Sequence, residues 1–243
     1  MSHLRQRRSQ SLLESARVRG AVDLHSAKAV LRDHFEGSFL DGPYFSAARP
    51  DFLTLCMHEH TAGFTWGNTA GSLIVEMRTD AEDLTVIWWT PLPPCIGVYI
   101  PVFLASGQIP GELQLPAPDA LVRPPEEYSQ SPFDPASYWW RFQNLLDAVK
   151  GDSAGTQFTE RQRSVRARFD PLEARWHEAV DELRRVWKSA DGAARGHLVD
   201  GFRALTAVAV SDAGAVVDAF LLEYEPRGRT ESIDPRWAVA ERR

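Results

Sequence analysis

Apolar residues recur at helical spacing near both ends of the chain and at strand spacing between them. Leu12 and Ala16, with Leu13 beside them, share a face in the Arg- and Ser-rich segment 2–20, which reads as a surface helix with a solvated basic side that Gly20 stops, or else as an organelle presequence or a site for an anionic partner. Ala27, Val30 and Leu31 predict a second helix over 26–35, capped by Ser26 and ended by Gly37. Gly, Pro, Ser and Asp then punctuate a loop as far as Pro50. Segments 52–60, 72–78, 84–90 and 97–105 have extended character. Only the turn TDAED and the proline-broken PLPPC separate the last three, which favours an antiparallel meander over β-α-β units. Apolar residues fall on both parities, so a sheet covered on both faces is expected.

Residues 108–135 form a proline-punctuated surface connection, and beyond it the pattern turns helical. Trp139, Phe142, Leu145, Leu146 and Val149 line a helix that begins at Pro135 or Ala136 and ends near Lys150. From Thr159 a charged amphipathic segment carries Val165, Phe169, Leu172, Trp176, Val180, Leu183 and Trp187, with Pro171 expected to kink or divide it. Leu198, Phe202, Leu205 and Val208 or Ala209 predict another helix, and 213–224 a last one. The fold class is α+β: helices then antiparallel strands over 1–107, the connection 108–135, and a helical part of the same domain over 136–243.

The 243 residues are 44% hydrophobic and 25% charged, globular usage that argues against disorder. A net charge of -6 removes any global cationic footprint for nucleic acid. Two cysteines build no disulfide framework and fit a reducing cytoplasm. No apolar run approaches the roughly 20 residues of a membrane span, and the basic opening is not followed by the apolar stretch of a secretory signal. Eight tryptophans imply large buried aromatic area or an aromatic-lined pocket.

Phosphate-loop, dinucleotide, GxSxG and HExxH signatures are absent from the sequence. Cys56, His58 and His60 share a parity, and a thiolate with two imidazoles is natural zinc chemistry. Same-face strand positions lie about 6.5–7 Å apart, too far for three in a row to converge well on one ion. A partly buried Cys with His residues near a pocket mouth is therefore expected rather than a metal site. Cys95 could be a nucleophile if His58 or His60 approached it; otherwise it is a small buried side chain beneath a proline turn. Asn68 and Thr69 could hydrogen-bond a ligand or serve a turn. Trp139, Trp140 and Arg141 suggest either stacking on a planar group or a helix docking its aromatic faces onto the sheet. Arg32, Asp33 and His34 suggest either a polar constellation or a plain helix C-terminus.

Four segments in order, LRDHFEG, LCMHEHTAGFTWGNTAGSLIVEM, TVIWWTPLPPCIGVYIPVF and SYWWRFQNLLDAV, resemble the later part of the secernin and dipeptidase family of cysteine-type N-terminal-nucleophile hydrolases. The resemblance implies part of a four-layer αββα sandwich and amide-bond hydrolysis on small peptides without metal or organic cofactor. It also implies a catalytic cysteine in a Cys-Asp-Thr-like context at the start of the mature chain. This sequence has no cysteine before Cys56 and no such context, so no catalytic residue carries over. Cys56, His58, Asn68, Thr69 and Cys95 are the substrate-pocket candidates. The chain is thus expected to be a C-terminal portion of a secernin-like dipeptidase, inactive alone. Its partner would be a complementary N-terminal half or a second copy, with a small peptide as substrate only when completed; nucleic acid and membrane are not expected. Two alternatives remain: a non-catalytic interaction protein of this fold, and a self-sufficient hydrolase using Cys95 with His58. Loss of the other half should leave sheet edges unpaired and an apolar sheet face uncovered.

Overall fold

The computed structural model describes residues 2–41, 46–48, 54–58, 68–79, 84–114, 137–152 and 154–224. Helix α1 (Ser2–Val18) precedes the short α2 (Leu24–Leu31). The α2 cap is Asp23, three residues before the expected Ser26. Its carboxylate accepts from the Ser26 amide at 2.8 Å, while the Ser26 hydroxyl accepts from the Asp23 amide at 2.9 Å. This reciprocal box satisfies two amides that a helix start leaves bare.

Three strands follow as an antiparallel meander: β1 (Gly71–Glu76), β2 (Val86–Pro91) and β3 (Ile100–Phe103), in spatial order β1-β2-β3. They are shorter than expected because the proline turn is more than an interruption. Ile96 and Gly97 both donate their amides to the Pro93 carbonyl, winding residues 93–97 into a helical turn. Residues 54–58 are not a strand either; they are an irregular segment tied to Thr69, and His60 lies outside the described residues.

The second half is three helices, α3 (Tyr138–Lys150), α4 (Phe158–Ser189) and α5 (Gly192–Glu223). Two expected divisions are absent. Helix α4 runs continuously through Pro171, with Phe169, Glu173 and Trp176 buried around it. Tertiary anchoring here outweighs the lost amide donor. Helix α5 runs continuously through the expected boundary at Ala213. Gly214 does not stop it; the glycine admits Arg141, whose Nη2 donates to the Gly214 carbonyl at 3.2 Å and would stand 3.0 Å from an added Cβ.

Helix α5 is long and apolar enough, by length and composition, to cross a membrane. One side of it packs into the core, and 39% of its apolar stretch is buried. Phe202 stacks on Phe103 at 4.5 Å, the Thr206 hydroxyl donates to the Pro101 carbonyl at 2.9 Å, and Ala209, Ala213, Val217 and Phe220 are buried. Tyr138 of α3 reaches the Val210 carbonyl with its hydroxyl. Trp139 and Arg141 of α3 therefore bond within the protein: Trp139 donates to the Ala70 carbonyl and Arg141 pairs with Asp218.

The two sheet faces are unequal. Val86, Trp88 and Phe103 are buried beneath α2, α4 and α5, with Trp88 at 4.3 Å from the His177 ring of α4. On the opposite face Leu73 pairs with Trp89 and Val75 with Ile87, which in turn pairs with Val102. There Leu73 is 54% exposed, Val75 43% and the adjoining Leu104 64%, and Ile87, Trp89 and Val102 are half-buried. Ile100, which pairs with Trp89 on this face, is fully buried, so among the described residues the second face is covered at β3 and open toward β1.

Candidate functional site

Three irregular segments meet beside the covered face. The first follows α2. Arg8 of α1 clamps Asp33 through Nε at 2.9 Å and Nη2 at 2.5 Å, so one side of the basic helix faces inward rather than water. The same carboxylate accepts from the Phe35 amide at 3.0 Å. Phe35 has φ 70, a left-handed conformation rare for a bulky residue. Around this turn Glu36 grips His34 twice, accepting from its amide at 2.6 Å and meeting its Nδ1 at 2.9 Å.

The second segment is residues 54–58. The Cys56 amide donates to the Asp33 carbonyl at 3.2 Å, which fixes this segment against the first. The Thr54 hydroxyl donates to the Cys56 carbonyl. Thr69 brackets Met57, its hydroxyl accepting from the Met57 amide at 3.0 Å and its amide donating to the Met57 carbonyl at 2.9 Å. Thr69 is thus a brace for the segment that carries Cys56 and His58.

The third segment is the proline turn. Leu92 has φ 59, and the turn closes so tightly that a Cβ on Gly97 would stand 2.1 Å from Thr90 Oγ1 and 3.0 Å from the Pro91 carbonyl oxygen. Glycine is required there by close approach. The turn delivers Cys95 to the other two segments.

His34, Cys56, His58 and Cys95 converge, all four buried, with one donor atom from each lying within 4.8 Å of the others. His58 Nε2 lies 3.1 Å from Cys95 Sγ, 3.4 Å from His34 Nε2 and 3.6 Å from Cys56 Sγ. Burial opposes ionisation of Cys95, but a hydrogen bond with Cys56 and the two imidazoles outweigh it and hold that thiol well below its ordinary value. Burial and the neighbouring Cys95 push the Cys56 thiol up. Burial pulls His58 down. It acts the same way on His34, yet Cys95 and Glu36 prevail and raise that imidazole to about 10. Against its own burial, the His34 hydrogen bonds hold the Glu36 carboxyl at about 2. The arrangement offers a thiolate beside an imidazole, or four soft donors around one point.

Three of the sequence candidates, Cys56, His58 and Cys95, are therefore brought together, and the anticipated approach of His58 to Cys95 occurs. The fourth donor, His34, was visible only as part of a polar helix end. Cys95 also lines a cavity of about 430 Å³ with Arg32, Glu36, Gln162, Arg166 and Asp170, although the residue itself is only 2% exposed.

Sequence reasoning missed an adjoining charge hub. The buried Glu173 carboxylate of α4 holds Lys28 at 3.2 Å, Arg32 at 2.5 Å and Arg166 at 3.6 Å, and accepts from the Tyr99 amide at 2.9 Å. Despite burial, the Arg32, Lys28 and Arg166 charges keep this carboxyl near 2. Burial lowers the Lys28 ammonium to about 8 where it lies over the Trp88 ring at 4.2 Å. No residue pattern marks such a hub, because its charges are 145 positions apart between Lys28 and Glu173. Arg32 also donates to the Pro94 carbonyl at 2.9 Å, so the hub steadies the turn that carries Cys95. The chain matches no protein-family model, and no curated protein or solved structure matches it significantly.

Proposed function

We propose that this chain is the scaffold portion of a secernin-like amide hydrolase and acts by holding a complementary β layer against its sheet. The open apolar face built on Leu73, Val75, Ile87, Trp89 and Val102 carries the reading. An antiparallel sheet with helices on one face and hydrocarbon on the other is half of a layered sandwich. The resemblance places the nucleophile of such an enzyme in a Cys-Asp-Thr-like segment, which this sequence does not contain. On this reading the lone chain supports no thiol-dependent turnover, since acylation needs the missing sulfur and its base. The free buried thiols of Cys56 and Cys95 support a reducing, cytoplasmic setting.

The test mixes the purified chain with the amino-terminal half of a complete secernin-family relative and follows dipeptide hydrolysis and complex size. Hydrolysis by the mixture and by neither part alone is the expected result. Turnover by the lone chain that Cys95→Ser abolishes would replace this reading with the Cys95–His58 hydrolase, whose 3.1 Å contact is its observation. Binding without turnover would leave the interaction protein.

A further inference from the structure

We propose that His34, Cys56, His58 and Cys95 form a closed Cys2His2 site for a structural zinc ion. The proposal stands on the geometry of the four donors and holds whether or not the sheet face receives a partner. It replaces the expectation of no metal, which considered three residues along one strand. The structure instead draws its ligands from three segments separated in sequence.

Zinc bonds of about 2.3 Å to sulfur and 2.0–2.1 Å to nitrogen set the edges of a tetrahedron at about 3.4 Å for N···N, 3.6 Å for N···S and 3.8 Å for S···S. The observed N···N separation of 3.4 Å and the Cys56–His58 separation of 3.6 Å match those edges, while the His58–Cys95 edge of 3.1 Å is shorter by about half an ångström. Two thiolates neutralise the divalent charge, so the filled site is neutral where an isolated ion would be costly to bury. Glu36 at His34 Nδ1 is the carboxylate that commonly orients a zinc-bound imidazole. Among the described residues His58 Nδ1 is buried without a partner. A single-base nucleophile needs one thiol and one imidazole, and it leaves the second thiol and the second imidazole of the cluster unexplained. All four ligands are protein atoms and all are buried, the pattern of a structural rather than a catalytic zinc.

The site joins stretches with little regular structure of their own, the turn after α2, residues 54–58 and the proline turn. A metal crosslink there does what hydrogen-bonded ladders do elsewhere in the fold.

The test begins with the full chain purified without chelator from zinc-supplemented culture. Elemental analysis should give one zinc per chain, and stripping by chelator should lower Tm until zinc is restored. Because a ligand variant can simply fail to fold, cobalt replaces zinc in the unmodified chain as a second measurement. Tetrahedral visible bands with thiolate-to-cobalt charge transfer are expected. Glu36→Gln keeps the four ligands and should weaken zinc by roughly 10- to 100-fold. Metal-free protein whose Tm zinc does not move, an octahedral cobalt spectrum without thiolate charge transfer, or full zinc retention in the Cys56→Ser/Cys95→Ser double variant would each overturn the proposal.

Discussion

Glu173 carries more of the fold than any other single carboxylate among the described residues, because it satisfies three cations and the Tyr99 backbone amide just before β3 at once. Removing one partner from a buried charge group leaves the others uncompensated. Glu173→Gln is therefore expected to cost about 3–5 kcal/mol, read by denaturant unfolding at neutral pH. The sign of its pH dependence follows from a carboxyl held at about 2 in the folded chain against 4.5 ordinarily. Its contribution is complete above pH 4.5 and is lost as pH falls from there toward 2. The unmodified chain should thus lose stability over that interval more steeply than the glutamine variant. Gly97→Ala is a steric counterpart. Its Cβ would overlap Thr90 Oγ1 at 2.1 Å and crowd a backbone carbonyl at 3.0 Å. A loss of about 1–3 kcal/mol is expected, with the Cys95 turn displaced and its thiol more reactive toward alkylating reagents than in the parent.

Short α2 depends on its ends, since eight residues do not hold a helix by propensity alone. Asp23→Ala should lower stability by about 1 kcal/mol, measurable as a shifted denaturation midpoint with an unchanged slope. Helices and strands were legible in the sequence because their apolar spacing is a local property. Phe142, Leu145, Leu146, Phe169, Val180 and Phe202 all fall on buried faces as the pattern predicts. The errors came where local chemistry and tertiary contact disagree. Pro171 and Gly214 carry breaker signals, but buried anchors flank the first and a guanidinium fills the space beside the second. Most of the site was legible. Cys56 and His58 share a parity and travel together even without a strand beneath them, and Cys95 was paired with His58 on thiol–imidazole chemistry alone. His34 was not placed with them, because the turn that carries it runs through Phe35 at positive φ, which no residue pattern announces.

Among the described residues, helices shield one sheet face, and the other exposes hydrocarbon toward β1. Leu73 and Val75 stand on the outermost strand, so they offer both an apolar surface and a strand edge. Concentration-dependent self-association through this face is the expected behaviour of the isolated chain, seen as a rising mass in sedimentation. The Leu73→Glu/Val75→Glu double variant should remain folded, since both residues are solvent-accessible, and stay monomeric over the same range. The same double variant should fail to bind the complementary half, whereas zinc content should be unaffected. The outer rim of β1 also has a consequence for the cell. Its backbone amides and carbonyls have no neighbouring strand among the described residues, and such a rim templates whatever extended peptide arrives first. If the proposed complementary half exists, copies synthesised beyond its supply would be cleared or clump, and the amount of this polypeptide should rise and fall with that of the half.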